Sequence, residues 1–168
     1  MVKDENLMHK TAVDLLHERG VREEDIAELV LFLQNKYIED LSLEECLVHV
    51  KSVLKKREVQ NTILTGIQLD ILAEKKQLMH PLQEIITDDE GLFGIDEILA
   101  LSIVNVYGSI GFTNYGYIDK VKPGILEKLN SHEGNEVHTF LDDIVGAIAA
   151  SAASRLAHDN PSKSEITK

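Results

Sequence analysis

Three acidic positions flank an apolar part of the chain and could together hold a divalent metal ion. They are the pair Asp96-Glu97, Asp119, which is followed three residues later by Lys122, and the pair Asp142-Asp143. The 21 residues 98–118, between the first two positions, include no Asp, Glu, Lys or Arg. We expect so apolar a run to be buried, and a carboxylate at its edge must be paired, hydrogen-bonded or bound to a metal. The pattern therefore predicts a carboxylate site for a divalent cation.

Composition and charge limit the classes of function. The chain has 168 residues, the size of one domain, and its single cysteine, Cys46, excludes an internal disulfide. A formal net charge of −12 opposes nucleic acid as a partner, because phosphate binding uses clustered Lys and Arg. The same charge opposes simple adsorption to anionic membranes. The N-terminus lacks the charged-then-apolar order of a secretory signal, so we expect a cytoplasmic protein.

Apolar residues recur at helical spacing along most of the chain, and no stretch shows sustained alternation with period two. The spacing predicts helices over 6–19, 22–38, 57–75 and 81–87, a further helix opened by a capping box at Ser42 and Glu45, and a last helix from 137 or 138 to about 157. We therefore predict an all-α fold, a multi-helix bundle in which a central buried helix is surrounded by the others. Residues 1–158 form its single domain, and residues 159–168 a frayed tail.

The run 98–118 is long enough to cross a bilayer. However, it contains Asn105 and Asn114 together with several glycines and hydroxyl side chains, and no second apolar span accompanies it. We interpret it as the buried central helix, or helix pair, of a soluble bundle.

The last predicted helix has a core of small residues, 146–154. Small side chains allow another helix backbone to approach closely. Such an approach would bring Asp142 and Asp143, at the start of this helix, within range of carboxylates on its neighbour.

Two of these segments together resemble the phosphatidylglycerophosphatase A family. Residues 111–123 read GFTNYGYIDKVKP and residues 140–147 read FLDDIVGA, which matches a pattern of Asp-x-x-Lys-Pro followed by Asp-Asp-Ile-Val and small residues. Asp96-Glu97 lies where the family has an acidic pair before an apolar helix. The resemblance covers roughly residues 94–155 and is closest to the soluble branch that lacks transmembrane helices. Residues 1–93 lack the Gly- and Pro-rich motif of the membrane members.

The resemblance implies hydrolysis of phosphatidylglycerophosphate to phosphatidylglycerol and phosphate with Mg²⁺. The candidate metal ligands are four carboxylates: Glu97, Asp119, Asp142 and Asp143. Mg²⁺ prefers oxygen ligands and keeps several waters, so these residues suffice for one or two ions. Catalytic roles fall to Asp119, Asp143 and Lys122, whose ammonium can neutralise the transferring phosphate. His132 is the candidate general acid to the leaving alcohol.

Each of these residues also has a purely structural interpretation. Asp119 and Lys122 could form a plain ion pair on a helix surface, and Asp96 could be a helix N-cap. Asp142 and Asp143 lie in a first helical turn, where the helix dipole favours carboxylates. His132 could simply be solvated in its loop. Between Asp96 and Glu97, we favour Glu97 as the ligand.

The sequence thus predicts a Mg²⁺-dependent phosphomonoester hydrolase, with phosphatidylglycerophosphate as the favoured substrate. Two alternatives stay open: a soluble phosphatase acting on a water-soluble phosphate ester, and a non-catalytic helical protein that binds metal or a partner. The expected partner is a phosphorylated lipid or small phosphate ester, not nucleic acid. A homo-oligomer and a peripheral contact with the inner face of the membrane are both compatible with the sequence.

Overall fold

The computed structural model describes residues 5–131 and 134–160, and all regular elements within those ranges are helices. In chain order they are α1 (Glu5–Glu18), α2 (Glu23–Gln34), α3 (Leu43–Leu54), α4 (Arg57–Glu74), α5 (Leu82–Thr87), α6 (Ile95–Val104), a 3₁₀ turn (Asn105–Tyr107), α7 (Gly108–Val121), α8 (Ile125–Leu129) and α9 (Leu141–Asp159). The all-α prediction is confirmed. The capping box at the start of α3 is also confirmed, since the Glu45 N–H donates to Ser42 Oγ at 3.2 Å and the Ser42 N–H donates to Glu45 Oε2 at 3.0 Å.

Helix α9 is the centre of the bundle. It contacts α2, α3, α4, α6, α7 and α8, and every residue from Leu141 to Ser154 is buried. Its many alanines allow the surrounding helices to approach from several sides. The predicted bundle around a central buried helix is confirmed, but the central helix is α9 and not residues 98–118. It begins at Leu141, later than the predicted start at 137 or 138, because residues 137–139 are held by bonds to α4 and α5 instead.

The chain reverses direction between α6 and α7, and this reversal brings the acidic positions together. Asp96, at the start of α6, lies close enough to Asp143 for its charge to act on that carboxyl. At the turn, the Tyr107 carbonyl accepts a hydrogen bond from Ser154 Oγ at 3.0 Å, about three turns further along α9. By the end of α7, Lys122 has returned to the start of α9. Helices α6 and α7 thus form a hairpin whose open end lies at the start of α9.

This hairpin corrects the prediction that residues 98–118 are a buried central helix. Gly108, with φ +70° and ψ −159°, takes a positive-φ conformation that residues with a side chain disfavour, and this allows the chain to turn back. Each helix of the hairpin packs one face against α9 and leaves the other outside, so that Ile98 is 63% exposed and Phe112 is 41% exposed. The centre is occupied by α9 because its smaller side chains allow closer packing. The alternative interpretation as a helix pair is right in the number of helices, but the pair is neither central nor mostly buried.

Residues 95–121 taken together are long and apolar enough to cross a bilayer, and only 22% of their most apolar window is buried. Length and composition alone are weak evidence for a membrane span, because core helices of soluble proteins meet the same two criteria. In this fold the segment is divided between two helices that both lie along α9.

Helix α4 makes its closest approach to α9 at Gly66. A Cβ atom on this residue would lie 2.4 Å from Cδ1 of Ile144 and 3.0 Å from Cβ of Phe140, both from the segment 140–144. Leu99 of α6 closes the other side, with Cδ2 at 3.3 Å. The missing side chain at Gly66 therefore allows α4, α6 and α9 to meet at one point.

We predict that Gly66→Ala lowers the free energy of unfolding by about 1–3 kcal/mol, because the methyl group forces neighbouring side chains to shift. This loss should appear although alanine has a higher helix propensity than glycine. Urea unfolding followed by circular dichroism measures it.

The matched control for this substitution is Gly146→Ala in α9. A Cβ at Gly146 meets its nearest neighbour, Cγ2 of Ile118, at an ordinary contact distance of 3.6 Å. We expect this variant to be neutral or up to about 1 kcal/mol more stable than wild type, by helix propensity. Equal destabilisation by both substitutions would contradict the close approach at Gly66.

Candidate active site

Lys122 joins the end of α7 to the start of α9. Its ammonium donates hydrogen bonds to Asp119 Oδ1 at 3.0 Å and to Asp142 Oδ2 at 2.8 Å. The residue is the C-cap of α7, and its backbone has a φ of +45° in the left-handed region. The ion pair between Asp119 and Lys122 that we weighed as a structural interpretation is therefore present. It extends, however, to a second carboxylate on the central helix, which a simple surface pair would not do.

The electrostatic environment keeps Lys122 positively charged. Burial alone would lower the pKa of its ammonium, but the carboxylates of Asp142 and then Asp119 outweigh burial and raise it. Asp142 is only 7% exposed, and its burial raises the pKa of its carboxyl against the opposing effect of Lys122. Its other oxygen, Oδ1, accepts the backbone N–H of Asp143 at 2.9 Å. The three side chains form one partly buried charged unit.

Asp143 is buried next to several negatively charged carboxylates. It is 6% exposed, and burial, followed by the charge of Asp142, raises the pKa of its carboxyl to about 8. The buried hydroxyl of Tyr115 from α7 has no hydrogen-bond partner among the described residues. Burial and the charge of Asp143 both raise the pKa of Tyr115, which places this phenol beside the carboxylates. The site therefore contains buried polar groups whose hydrogen bonds are incomplete.

The two acidic residues at the start of α6, Asp96 and Glu97, have different surroundings. The Oδ1 atom of Asp96 is buried without a hydrogen-bond partner in the described part of the chain, and burial raises the pKa of this carboxyl. Glu97 is exposed, although its charge still reaches Tyr115. Asp89, from the loop before α6, adds a further negative charge that acts on Asp96 and Asp142. Sequence reasoning did not select Asp89 as a site residue.

The described residues do not form a complete cage of protein ligands for a metal ion. Within residues 5–131 and 134–160, no three His, Cys, Asp or Glu side chains are arranged to hold a metal directly. Nevertheless, the donor set fits Mg²⁺, because carboxylates of α6, α7 and α9 lie close enough for their charges to act on Asp143, and the buried Oδ1 of Asp96 lacks a partner among the described residues. Mg²⁺ commonly uses only one or two carboxylates and completes its shell with water and substrate phosphate. The assignment of individual ligands stays a prediction.

Of the two histidines in the connection before α9, only His138 lies among the described residues. His132 lies outside the described residues. His138, the other histidine of the same connection, has its Nδ1 atom 3.0 Å from the carbonyl oxygen of Leu129, and its Nε2 atom lies 3.4 Å from Oε2 of Glu136. These contacts tie His138 to its own loop and to α8.

Asp70 of α4 holds the start of α9, and sequence reasoning missed it. This fully buried carboxyl accepts hydrogen bonds from the backbone N–H groups of Phe140 and Leu141, with the shortest contacts at 3.1 Å. Such N–H groups have no partner within their own helix, so a carboxyl from another helix caps α9. Burial raises the pKa of Asp70 well above its usual range. The signal in the sequence that could have identified Asp70 was its position within the apolar helical pattern of residues 67–71.

Glu74, one turn after Asp70, holds the segment before α9. It accepts a hydrogen bond from the Val137 N–H at 2.8 Å and forms an ion pair with Arg19. The Arg19 guanidinium also donates to the Val137 carbonyl at 2.8 Å. The direction in which the chain enters α9, and hence the position of its first-turn carboxylates, is therefore determined by α4 and by Arg19, which directly follows α1.

The fold and the site define a class: an all-α protein in which a helical hairpin and a buried central helix bring carboxylates around one lysine. The model of the family described as PgpA, phosphatidylglycerophosphatase A, matches residues 24–158. The chain belongs to the phosphatidylglycerophosphatase A family.

Two proteins of Bacillus subtilis and one of Listeria monocytogenes illustrate the similarity. The uncharacterized protein YutG of B. subtilis is 66% identical over 143 residues, which cover 85% of this chain and 86% of that protein. The crystal structure of the low temperature requirement C protein from L. monocytogenes has a TM-score of 0.90 and 70% identity, covering 92% of this chain and 97% of that one. The crystal structure of YpjQ from B. subtilis has a TM-score of 0.91 and 53% identity, covering 95% and 98%.

We predict that Asp70→Ala destabilises the protein by about 2 kcal/mol, because two buried N–H groups lose their acceptor. Asp70→Asn should cost clearly less, since the amide oxygen can still accept one of them. Urea unfolding at pH 7 compares the two variants. If asparagine were as harmful as alanine, the capping explanation would be wrong.

The raised pKa of Asp143 predicts how stability depends on pH in the metal-free protein. The folded state keeps this proton up to about pH 8, whereas the unfolded chain loses it near the ordinary value of 3.8. The contribution of Asp143 is therefore largest below pH 4 and declines as pH rises toward 8. The decline approaches about 1.4 kcal/mol per pH unit where one proton separates the two states.

Urea unfolding in the presence of a chelator at several pH values between 5 and 8 measures this dependence. Asp143→Asn should flatten the curve, because asparagine cannot be ionised. Glu28→Gln, at an exposed carboxylate on α2, should leave the slope unchanged. A slope that Asp143→Asn does not alter would show that Asp143 has an ordinary pKa.

Proposed function

We propose that this protein is a Mg²⁺-dependent phosphomonoester hydrolase and that phosphatidylglycerophosphate is its substrate. Membership of the phosphatidylglycerophosphatase A family supports a phosphatase. The observation that carries the proposal is the contact of Lys122 with carboxylates of two different helices, Asp119 and Asp142. This arrangement combines a fixed cation for a phosphate with oxygen ligands for a metal.

Lys122 binds and orients the phosphate group. Its side chain is 27% exposed, so the ammonium can reach a ligand while the two carboxylates hold it. A positioned cation stabilises the negative charge on the transferring phosphoryl group. Because the carboxylates also come from α7 and α9, the hairpin and the central helix must keep their relative position for the site to work.

The carboxylates at the open end of the hairpin are the metal-binding part of the proposal. Glu97, Asp119, Asp142 and Asp143 would hold the ion, with Asp96 as a further oxygen donor. When bound, Mg²⁺ supplies charge neutralisation of the phosphoryl oxygens and lowers the pKa of a coordinated water. The overall reaction breaks the bond between phosphorus and the ester oxygen. Water provides the hydroxyl for phosphate and the proton for the released alcohol, and His132 is proposed to transfer that proton.

A water-soluble phosphate ester is the second candidate substrate. The net charge of −12 favours it, because an acidic protein is repelled by anionic lipid surfaces. The two substrates differ in whether hydrolysis requires a lipid interface.

Phosphate release from phosphatidylglycerophosphate in detergent micelles tests the proposal, with Mg²⁺ and with chelator. We predict metal-dependent release by wild type and a loss of at least about 100-fold in Asp143→Asn, the size typical for removing one charged group of an active site. Asp159→Asn is the matched control, because it lies in the same helix about 24 Å away by helical rise. It should retain wild-type activity.

Release that is metal-dependent but equal in Asp143→Asn would place catalysis elsewhere. Absence of release from folded, Mg²⁺-loaded protein would exclude the lipid substrate under these conditions. The same assay with a short-chain, fully dissolved phosphate ester then separates the second candidate from a non-catalytic protein.

A further inference from the structure

The outer face of the α6–α7 hairpin is an apolar surface that the site does not use. We define the outer face by six side chains that are between 38% and 63% exposed: Ile98, Val106, Ile110, Phe112, Tyr117 and Val121. They occur along both helices and the turn between them. Scattered single apolar residues are normal on a surface, but six on two helices that contact each other and on the turn between them, with only uncharged residues between them over 98–118, favour a binding surface.

The part of the outer face within residues 98–118 carries no charged side chain of its own, in contrast to the rest of the molecule. Residues 98–118 contain no Asp, Glu, Lys or Arg, whereas the whole chain has a net charge of −12. Two copies of so acidic a protein repel each other where charged surfaces meet. They can associate without that repulsion only through an uncharged face. An anionic lipid surface would still face the repulsion of the surrounding acidic protein.

The apolar side chains of the outer face supply roughly 60% of the area that a standard dimer interface buries per partner. About 150–200 Å² for each fully exposed side chain of this size gives roughly 500 Å² of exposed apolar surface. This value is near the upper end for the largest apolar patch of a monomer. Uncharged residues between the apolar ones, such as Ser102, Ser109 and Thr113, bring the face toward the roughly 800 Å² per partner of a standard interface.

One part of the outer face is held in place by neighbouring side chains. The rings of Phe32 and Tyr117 are stacked with centroids 6.1 Å apart and an interplanar angle of 5°. The Nζ atom of Lys36 lies 5.2 Å from the centre of the Tyr117 ring. An aromatic side chain already fixed in position loses little conformational entropy on binding, and such residues dominate interface energies.

We propose that the outer face pairs with the same face of a second copy of this chain, forming a two-fold homodimer. In such an interface each copy contributes the same surface. If the two hairpins run antiparallel, the acidic ends that carry Asp119 and Asp142 lie at opposite ends of the interface. The dimer then buries apolar surface without bringing the two sites into mutual repulsion.

Sedimentation equilibrium over a range of concentrations up to roughly 100 μM tests the dimer. Wild type should show a mass approaching twice the chain mass of 18.8 kDa. Ile98→Lys and Phe112→Lys, which place a charge on the outer face, should each weaken dimerisation by at least tenfold. Val48→Lys is the matched control, because Val48 is 62% exposed on α3, outside the hairpin. It should dimerise as wild type does.

Circular dichroism and urea unfolding confirm that each variant is folded, as expected for exposed positions. The proposal is overturned if wild type is monomeric throughout, or if the control weakens association as much as the hairpin variants. A monomeric wild type that binds phosphatidylcholine vesicles, with binding lost in Phe112→Lys, would instead assign the outer face to a lipid surface. Phosphate release is not needed for any of these measurements, so their result is independent of the proposed reaction.

Discussion

The burial of α9 along nearly its whole length constrains the rest of the structure, because two carboxylates lie in its first turn. Asp142 and Asp143 are taken almost completely out of water there. Buried charge is costly unless another charge or hydrogen bonds compensate it. Lys122 compensates one carboxylate directly. The raised pKa of Asp143 shows that the other is compensated less. A stable fold would gain nothing from this imbalance, whereas a site that receives a cation and a phosphate would use it.

The same constraint explains why the elements before α9 carry so many polar contacts. A helix at the centre of a bundle cannot satisfy its first N–H groups with water. Asp70 and Glu74 of α4 supply acceptors for the backbone at its entrance, and Arg19, which directly follows α1, supports Glu74. Elements distant in sequence therefore determine the position of the carboxylates. Changes in α1 or α4 should then affect the site without any residue of theirs reaching a substrate.

The hairpin serves the site at one side and leaves an apolar surface at the other. Its inner side places Asp96 and Lys122 at the start of α9, and its turn is fastened to Ser154 by a hydrogen bond. Its outer side has no charged residue over residues 98–118. A single segment thus connects the chemistry of the family with a surface suited to association. Both features depend on the reversal at Gly108.

Local patterns in the sequence determined the all-α class, the capping box at Ser42 and the grouping of acidic positions around an apolar run, since each depends on spacing between nearby residues. Which helix occupies the centre was decided by tertiary packing, because the smaller side chains of α9 allow closer approach than those of residues 98–118. Tertiary structure also decided which acid of the pair 96–97 is buried, and it brought in Asp70 and Asp89. These residues act across long sequence separations, through hydrogen bonds and charge in a buried environment that spacing along the chain does not reveal.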